Sequence, residues 1–327
     1  MRAVQISRLD GPEAATVVDL DEPGGDGVQD AVVIDVHAAG VAFPDVLQSR
    51  GLYQYKPPLP FVPGGEVAGV VRSAPAGAQV AAGDRVAALT MLGGGMAEVV
   101  ALPAAQVFKL PDRVSFEAGA GLLFNDLTVY FALAERGRLA AGDTVLVHGA
   151  AGGIGTSTLR LAPALGASRT IAVVSTPEKA EVALAAGATD TVLADGFKDA
   201  VTELTGGQGV DIILDPVGGD RFTDSLRCLA PAGRLLVVGF TGGEIPTVKV
   251  NRLLLNNIDV VGVGWGAWAM RHPGYLERQW AKFEPLLASG AVAPPQPHVF
   301  GLDQAAEAIA ALENRTAKGK VVLRVRG

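Results

Sequence analysis

Cysteine is almost absent from this chain, since Cys228 is the single example among 327 residues. One cysteine excludes an intramolecular disulfide and any site built from several thiolates. It fits a compartment that keeps thiols reduced, so we expect a cytoplasmic protein. Long apolar runs are missing as well: no stretch of about 18 consecutive apolar residues occurs, and the N-terminus has no apolar segment followed by a cleavage site. We therefore expect no membrane partner.

Basic charge is also scarce, because 27 Lys and Arg residues stand against 34 Asp and Glu residues, for a formal net charge of −7. Nucleic acids and anionic membranes both favour a basic surface, so neither is expected as the main partner. Charged residues make up only 19% of the chain and apolar residues 49%, which is typical of a globular protein with a large buried core. The expected ligand is a small molecule.

Glycine, in contrast, is abundant. Four glycines lie between a strand-like run and a helix-compatible segment in TVLVHGAAGGIGTSTLR, residues 144–160. The four are Gly149, Gly152, Gly153 and Gly155. In a doubly wound sheet such a turn directs backbone N–H groups and the positive end of a helix at a pyrophosphate. Ala150 stands where the commoner GxGxxG pattern has its first glycine, so a glycine-rich turn that binds nothing remains an alternative.

The length of the chain predicts two domains, and the pattern of elements differs between them. Short β-type runs up to about Leu110 predict a small β-rich domain, in which the proline-punctuated stretch Gly40 to Gly69 is expected to be loops beside a ligand cleft. From Asn125 to about Trp268 strands alternate with helices, which predicts an α/β fold with a doubly wound parallel sheet. The six predicted strands read TVLVHG, RTIAVVS, DTVLA, DIILDPVGG, RLLVVGF and DVVGVGW.

The end of the second of these strands distinguishes NAD from NADP. An NAD site has Asp or Glu about 20 residues beyond the glycine turn, to accept a hydrogen bond from the ribose 2′-OH. Counting from Gly155 reaches Ser175, and Lys179 follows in the next helix. A hydroxyl and a lysine suit a dianionic phosphate, which a carboxylate would repel, so NADPH is the expected cofactor. Taken alone, a lysine at this position is more often a solvated helix residue, and only the missing acid favours a phosphate contact for Lys179.

Across nearly its whole length the sequence resembles the medium-chain dehydrogenase/reductase superfamily, and within it the zinc-free quinone oxidoreductase branch. The stretches that carry the resemblance are GVAFPDVLQSRGLY, LPFVPGGEVAGVV, AGDRVAAL, KLPDRVSFEAGAG, HGAAGGIGTSTLRLAPALGA, STPEKAEVALAAGATD, LAPAGRLLVVGF and NRTAKGKVVLRV. The resemblance implies a GroES-like β-rich catalytic domain made from both chain ends, residues 1–123 and 268–327. It implies an NADP-binding Rossmann domain, residues 124–267, inserted between them.

The resemblance also indicates whether the chain has zinc ligands. Zinc alcohol dehydrogenases of this superfamily hold the catalytic zinc through a Cys and the His of a GHE motif, and the matching positions here are Phe43 and Gly65. Their structural zinc loop needs four cysteines, and zinc needs three or four N, S or O ligands. The histidines, His37, His148, His272 and His298, fall in separate segments and are expected to be structural or surface groups. We expect no metal site.

Residues near the reacting end follow from the resemblance alone. It implies that Tyr53 lines the substrate side of the cleft, that Phe43 and Asn125 lie near the nicotinamide, and that Thr128 lies near the phosphates. Tyr53 and Asn125 are the predicted catalytic residues. Loop packing is the alternative for Tyr53, and a helix cap is the alternative for Asn125.

Other cofactor residues are implied in the same way. The predicted pyrophosphate contacts are Gly152, Gly153, Ile154 and Gly155. Val217 and Phe240, at the ends of the fourth and fifth strands, would border the adenosine and the nicotinamide ribose. Arg315 matches a basic residue that reaches the 2′-phosphate, although an arginine that interacts with the dipole of a C-terminal helix is equally consistent.

The predicted function is hydride transfer from NADPH to a quinone or an activated enone, because without a Lewis acid the acceptor must be easily reduced. Two departures from the family pattern, Ala42 in place of Asn and Leu47 in place of Tyr, predict an unusually apolar substrate pocket. Reduction of an enoyl thioester or alkenal double bond is one alternative, and a crystallin-like NADPH-binding protein with little turnover is another. The resemblance further implies a homodimer that pairs through the DVVGVGW strands.

Overall fold

The computed structural model describes residues 1–24, 31–91 and 93–326. The strands in this part of the chain are β1 (Arg2–Ile6), β2 (Ala15–Asp19), β3 (Ala31–Val41), β4 (Glu66–Ser73), β5 (Arg85–Leu89), β6 (Val99–Pro103), β7 (Val107–Lys109), β8 (Thr144–His148), β9 (Arg169–Val174), β10 (Asp190–Leu193), β11 (Val210–Asp215), β12 (Leu229–Val237), β13 (Asp259–Gly262), β14 (His298–Gly301) and β15 (Val321–Arg324).

The α-helices are α1 (Phe43–Ser49), α2 (Phe116–Gly119), α3 (Leu123–Tyr130), α4 (Gly153–Ala164), α5 (Pro177–Ala185), α6 (Phe197–Leu204), α7 (Phe222–Cys228), α8 (Asn251–Asn256), α9 (Trp265–Arg271), α10 (Tyr275–Ser289) and α11 (Ala305–Glu313). A π-helix, Phe131–Arg136, follows α3 directly. Within the described ranges, none of the helices combines the length and the apolar character that a membrane span requires.

Contacts between residues divide the chain into two compact units. The first, here called the β-rich unit, consists of Met1–Phe124, His272–Gly290 and Pro294–Gly327. The second, here called the parallel-sheet unit, consists of Asn125–Arg271 and Ala291–Ala293.

The β-rich unit is built on a seven-stranded sheet in the order β14-β15-β3-β4-β5-β7, with β6 also paired to β3. A separate antiparallel ribbon joins β1 to β2. In β3, AVVIDVHAAGV, every second residue is buried along most of the strand, as its alternating apolar side chains dictate. The core is largely valine and alanine from these strands together with α11. Strands from both ends of the chain therefore share one core.

The parallel-sheet unit has six parallel strands in the order β10-β9-β8-β11-β12-β13. The chain builds outward from β8 to β10 and then returns to the other side of β8, so the strand order reverses between β8 and β11. Ligands of doubly wound sheets bind beside the carboxyl ends of the strands at such a reversal. The predicted architecture, a β-rich part and a doubly wound parallel sheet, is confirmed.

Two local predictions were wrong. The stretch Gly40 to Gly69, predicted as loops, contains helix α1 and the start of β4. Helix α1 forms because Pro44 suits a first helical turn and the Asp45 carboxylate accepts the Ala42 N–H at 2.7 Å, which closes the cap. Strand β12 begins at Leu229, five residues before the predicted Arg234. The earlier start is possible because a register shift against β11 lets Leu229 pair with Val210.

Candidate functional site

The glycine turn joins β8 to α4 at the carboxyl edge of the parallel sheet. β8 ends at His148, Gly149 adopts a left-handed φ of +59°, and Gly152 is the N-cap of α4. Because Gly152 has no side chain, the first N–H groups of α4 have no side-chain cap. The twelve-residue helix therefore presents its positive N-terminal end where an anion can approach.

Two glycines of this turn have different structural roles. A Cβ on Gly155 would lie 2.5 Å from the carbonyl carbon and oxygen of Ala150, so the first turn of α4 rests directly on the backbone of the loop. A Cβ on Gly152 would meet only the Gly149 oxygen, at 3.3 Å. Gly155 is thus required for packing, whereas Gly152 leaves the helix end open.

Asn125 lies in the first turn of α3 and is buried. Its side-chain amide occupies the space that a Cβ on Gly153 would need, so it contacts the first residue of α4. Because α3 begins at Leu123, Asn125 lies inside the helix and is not its cap. Thr128, one turn further along α3, is buried as well. The structure brings Asn125 to the glycine turn.

Asp126, the next residue of α3, is fully buried. Its Oδ1 accepts hydrogen bonds from Ser157 Oγ at 2.6 Å and from Arg160 Nη2, both on α4. Arg160 also donates from Nη1 to the Ala293 carbonyl at 2.7 Å. Two side chains of α4 and one of α3 therefore form a buried polar network next to Asn125.

The residues predicted to contact the 2′-phosphate lie after the end of β9 and in the first turn of α5. Ser175 follows the last residue of β9 and is exposed. Thr176 caps α5, and its hydroxyl accepts the Lys179 N–H at 3.4 Å. Lys179 is half-buried in the first turn of the helix. Ser175 stands at the end of β9, where an NAD site has an acidic residue.

Val217 and Phe240 occupy the loops that follow β11 and β12. The buried Asp215 carboxylate accepts the N–H groups of Val217 at 2.8 Å and Gly218 at 2.9 Å, which fixes the first loop. A methyl of Val217 lies 3.2 Å from where a Cβ on Gly149 would be, so Val217 contacts the glycine turn. Phe240 is 37% exposed and packs near Gly218.

His148 ends β8 inside the core of the parallel-sheet unit. Burial lowers the pKa of this histidine to about 4, so the ring is neutral at pH 7. The Ser225 hydroxyl donates to the Arg221 carbonyl at 2.9 Å, which leaves His148 Nε2–H as the donor in the 2.8 Å bond to Ser225. The side chain has a structural role in this unit.

In the β-rich unit, the predicted substrate-side residues lie around α1. Phe43 begins the helix and packs, partly buried, against the valine-rich core. Asp45 is buried and accepts the N–H groups of Ala42 and of Gly64, the latter at 2.9 Å. Burial raises the pKa of the half-buried Tyr53, and the negative charge of Asp45 raises it further. Tyr53 is therefore close enough to Asp45 to sense its charge.

Sequence reasoning missed Asp45 and the buried ion pair Glu66–Lys320. Glu66 opens β4 and Lys320 precedes β15; their side chains are 1% and 3% exposed and lie 2.6 Å apart. The second oxygen of Glu66 accepts the Phe124 N–H at 2.9 Å. A charged residue at the edge of each apolar strand, in PGGEVAGVV and KGKVVLRV, was the signal available in the sequence.

Arg315 and Gly65 complete the predicted positions. Arg315 lies in the exposed turn after α11, with a left-handed φ of +58°. Gly65 stands where related zinc enzymes have a ligand histidine. It packs near Phe124 and has no side chain that could bind a metal ion. In residues 1–24, 31–91 and 93–326, no group of three or more His, Cys, Asp or Glu side chains is placed to hold a metal ion.

The raised pKa of Asp45 makes stability depend on pH in a specific way. Burial is the main cause and brings the pKa to about 6, from an ordinary value of 3.8. The folded state binds the proton more tightly than the unfolded state, so this group lowers stability as pH rises from about 4 to about 6, and by a constant amount above that. Two pKa units correspond to roughly 2–3 kcal/mol.

We expect the difference in free energy of unfolding between wild type and Asp45→Asn to fall by that amount between pH 4 and pH 6. Urea denaturation at a series of pH values measures it. Carboxylates with lowered pKa values, such as Asp35 and Glu313, change stability with pH in the opposite direction. Their contributions are the same in both proteins and cancel in the difference. A difference that stays flat with pH would contradict the assignment to Asp45.

Two family profiles match parts of this chain. Residues 28–112 match the family profile "Alcohol dehydrogenase GroES-like domain", and residues 153–282 match the profile "Zinc-binding dehydrogenase". A quinone oxidoreductase-like protein 2 homolog from Nematostella vectensis is 38% identical over 89% of this chain and 81% of its own length.

Solved structures are similar over the full length. A probable oxidoreductase from Mycobacterium abscessus is 42% identical, with a TM-score of 0.89 and 99% of each chain covered. The Escherichia coli quinone oxidoreductase, solved as a complex with NADPH, is 29% identical, with a TM-score of 0.87, and the match covers 99% of this chain and 100% of that one. The chain belongs to the quinone oxidoreductase branch of the medium-chain dehydrogenase/reductase superfamily.

Proposed function

We propose that this protein is an NADPH-dependent reductase of quinones or activated enones that works without a metal ion. The observation that carries the proposal is the uncapped start of α4, with Gly155 packed on the Ala150 backbone and the Asn125 amide against Gly153. The Escherichia coli relative described with NADPH supports the choice of cofactor. In this proposal the β-rich unit is the catalytic domain and the parallel-sheet unit the NADP-binding domain, with boundaries near residues 123 and 268.

The residues fit NADPH in charge and in space. Gly152 leaves room at the start of α4 for a pyrophosphate, and Ser175 with Lys179 offers a hydroxyl and a cation where an NAD site would have a carboxylate. When bound, NADPH supplies the hydride from C4 of its nicotinamide ring. The proposed holding residues are Gly152, Gly153, Ile154, Gly155 and Thr128 for the pyrophosphate, Ser175, Lys179 and Arg315 for the 2′-phosphate, Val217 and Phe240 for the adenosine and ribose, and Phe43 and Asn125 for the nicotinamide.

Metal independence rests on the residues that occupy the ligand positions. Phe43 begins α1 with its ring against the core, and Gly65 has no side chain. Cys228, the single thiol, is buried in α7, and burial raises its pKa to about 12, so it stays protonated. An acceptor that needs no Lewis acid, such as a quinone or a conjugated carbonyl, suits this set, with Tyr53 orienting it.

Steady-state assays test this function. After dialysis against a chelator, NADPH oxidation is measured with 1,4-benzoquinone, with 9,10-phenanthrenequinone and with a panel of enones and enoyl thioesters. We expect turnover with a quinone or a simple enone, retained after chelation. Turnover confined to enoyl thioesters would favour a double-bond reductase, and tight NADPH binding with negligible turnover on every acceptor would favour a binding protein.

Replacement of Lys179 tests the preference for NADPH. We expect Lys179→Ala to raise the dissociation constant of NADPH by about 10–100-fold and that of NADH by less than about 2-fold, because one charge-assisted contact to the 2′-phosphate is lost. Fluorescence titration of each nucleotide measures this. Lys198→Ala on α6 removes a partly exposed lysine and is the matched control. Equal weakening of both nucleotides would rule out a 2′-phosphate contact.

We also propose that two copies pair through β13. This strand lies at one edge of the six-stranded sheet, and its Val260 is 36% exposed. Three more apolar side chains nearby in sequence are strongly exposed: Val250, Leu254 and Leu255. An unprotected apolar edge is a template for strand pairing. Light scattering at micromolar concentration should give a dimer for the wild type and a monomer for Val260→Lys; a monomeric wild type would remove the proposal.

A further inference from the structure

A buried ion pair connects α3 to α4 just behind the glycine turn. The side chain of Asp126 is fully buried and that of Arg160 is 9% exposed. Asp126 Oδ1 receives both Arg160 Nη2 and Ser157 Oγ, while Arg160 Nη1 is held by the Ala293 carbonyl. The guanidinium is thus fixed from two sides, and α3 is tied to α4 by directional bonds.

A buried ion pair adds little net free energy to the contact between two helices. Removing two charges from water costs about as much as their attraction returns, and apolar side chains of similar volume often serve stability equally well. Moreover, Asp126 Oδ2 and Arg160 Nε are buried without a hydrogen-bond partner among the described residues. A half-satisfied buried network calls for an explanation other than stability. Directional bonds differ from apolar contacts in that they fix the register of one helix along the other.

That register decides where Asn125 lies. Asn125 and Asp126 are consecutive in α3, and they face different parts of α4: Asp126 faces Ser157 and Arg160, and Asn125 faces Gly153. The amide of Asn125 fills the space beside the Gly153 Cα. A small slide of α3 would therefore move this amide away from, or into, the first residue of α4.

We propose that Asp126 and Arg160 are positioning residues, which hold the Asn125 amide at the first residue of α4 and so set the group that meets the nicotinamide end of NADPH. This inference rests on the proposed function, in which Asn125 contacts the cofactor. Neither residue touches the cofactor, and both act through Asn125.

A double-mutant cycle between Asp126→Asn and Asn125→Ala tests the inference. If Asp126 acts through Asn125, Asp126→Asn should weaken NADPH binding by about 5–20-fold and lower kcat with the quinone that the wild type reduces best. In the Asn125→Ala background the same change should alter both quantities by less than about 2-fold. Additive effects in the cycle would overturn the proposal. Arg160→Gln, which keeps an aliphatic stem and one donor, gives the second test if Asp126→Asn folds poorly.

Asp143→Asn is the matched control. Asp143 pairs with Arg234 at 2.9 Å in the same unit, and these two side chains are 15% and 14% exposed, but Asp143 precedes β8 at the end opposite the glycine turn. We expect it to lower the melting temperature without changing NADPH affinity or kcat. If Asp126→Asn behaves in the same way, the pair is merely structural and the proposal is wrong. Fluorescence titration reads NADPH affinity without turnover, so a wild type that binds NADPH but reduces nothing would defeat the proposed function while leaving this inference testable.

Discussion

Replacing Lys320 by alanine is expected to lower the free energy of unfolding of the β-rich unit by about 3–5 kcal/mol. Lys320 Nζ lies 2.6 Å from Glu66 Oε1, and both side chains are almost completely shielded from water. Removing the ammonium takes the counter-charge away from a buried carboxylate that also accepts the Phe124 N–H. The cost is large because a buried carboxylate that loses its counter-charge no longer has the attraction that offset its removal from water.

Hydrogen exchange of peptides from β4 and β15 in the full-length protein measures this loss locally. Arg8→Ala is the control, because the Arg8–Asp10 pair is more than half exposed and exposed pairs contribute about 0–1 kcal/mol. The double variant Glu66→Gln with Lys320→Met should recover much of the stability, since the glutamine can still accept the Phe124 N–H and no charge is left unpaired. Similar exchange rates in Lys320→Ala and wild type would show that Glu66 finds another partner.

The Glu66–Lys320 pair also shows why sequence alone could not describe this unit in full. The two residues are 254 positions apart. They meet because β15 pairs with β3 and β3 pairs with β4, and no local pattern gives that order. The six strands of the parallel sheet were predictable, because apolar β-branched runs alternate with helical periods over the whole region. Helix α1 was missed because its proline, Pro44, and its aromatic neighbours resemble a loop, although Asp45 at its third position is a helix-start signal.

The candidate site likewise has one part that the sequence predicted and one part that it did not. The glycine turn is a contiguous motif, so its position between β8 and α4 followed from the sequence. The position of Asn125 depends on how α3 packs against α4, and the residues that set this packing, Asp126 and Arg160, belong to no recognisable motif. Only family resemblance pointed to Asn125, and nothing in the sequence pointed to its neighbours. Buried polar networks of this kind are specified by tertiary geometry.

Gly155→Ala and Gly152→Ala should separate the packing of the turn from its contact with the cofactor. In Gly155→Ala the new methyl would lie 2.5 Å from backbone atoms of Ala150, which cannot rotate away as a side chain could. We expect a loss of about 3 kcal/mol or more in the parallel-sheet unit, together with loss of measurable NADPH binding, because α4 must shift off the turn. Urea denaturation and fluorescence titration measure the two effects.

Gly152→Ala is expected to behave differently, because the methyl would meet only the Gly149 oxygen, at 3.3 Å, and φ is −90°. Stability should change by no more than about 1 kcal/mol, the usual effect of alanine at a helix N-cap. If a pyrophosphate approaches the uncapped N–H groups of α4, the same methyl stands in its way, and NADPH affinity should fall by about 10-fold or more. A Gly152→Ala protein that binds NADPH as tightly as wild type would mean that the phosphates do not lie at this helix end, whatever the fold has in common with its relatives.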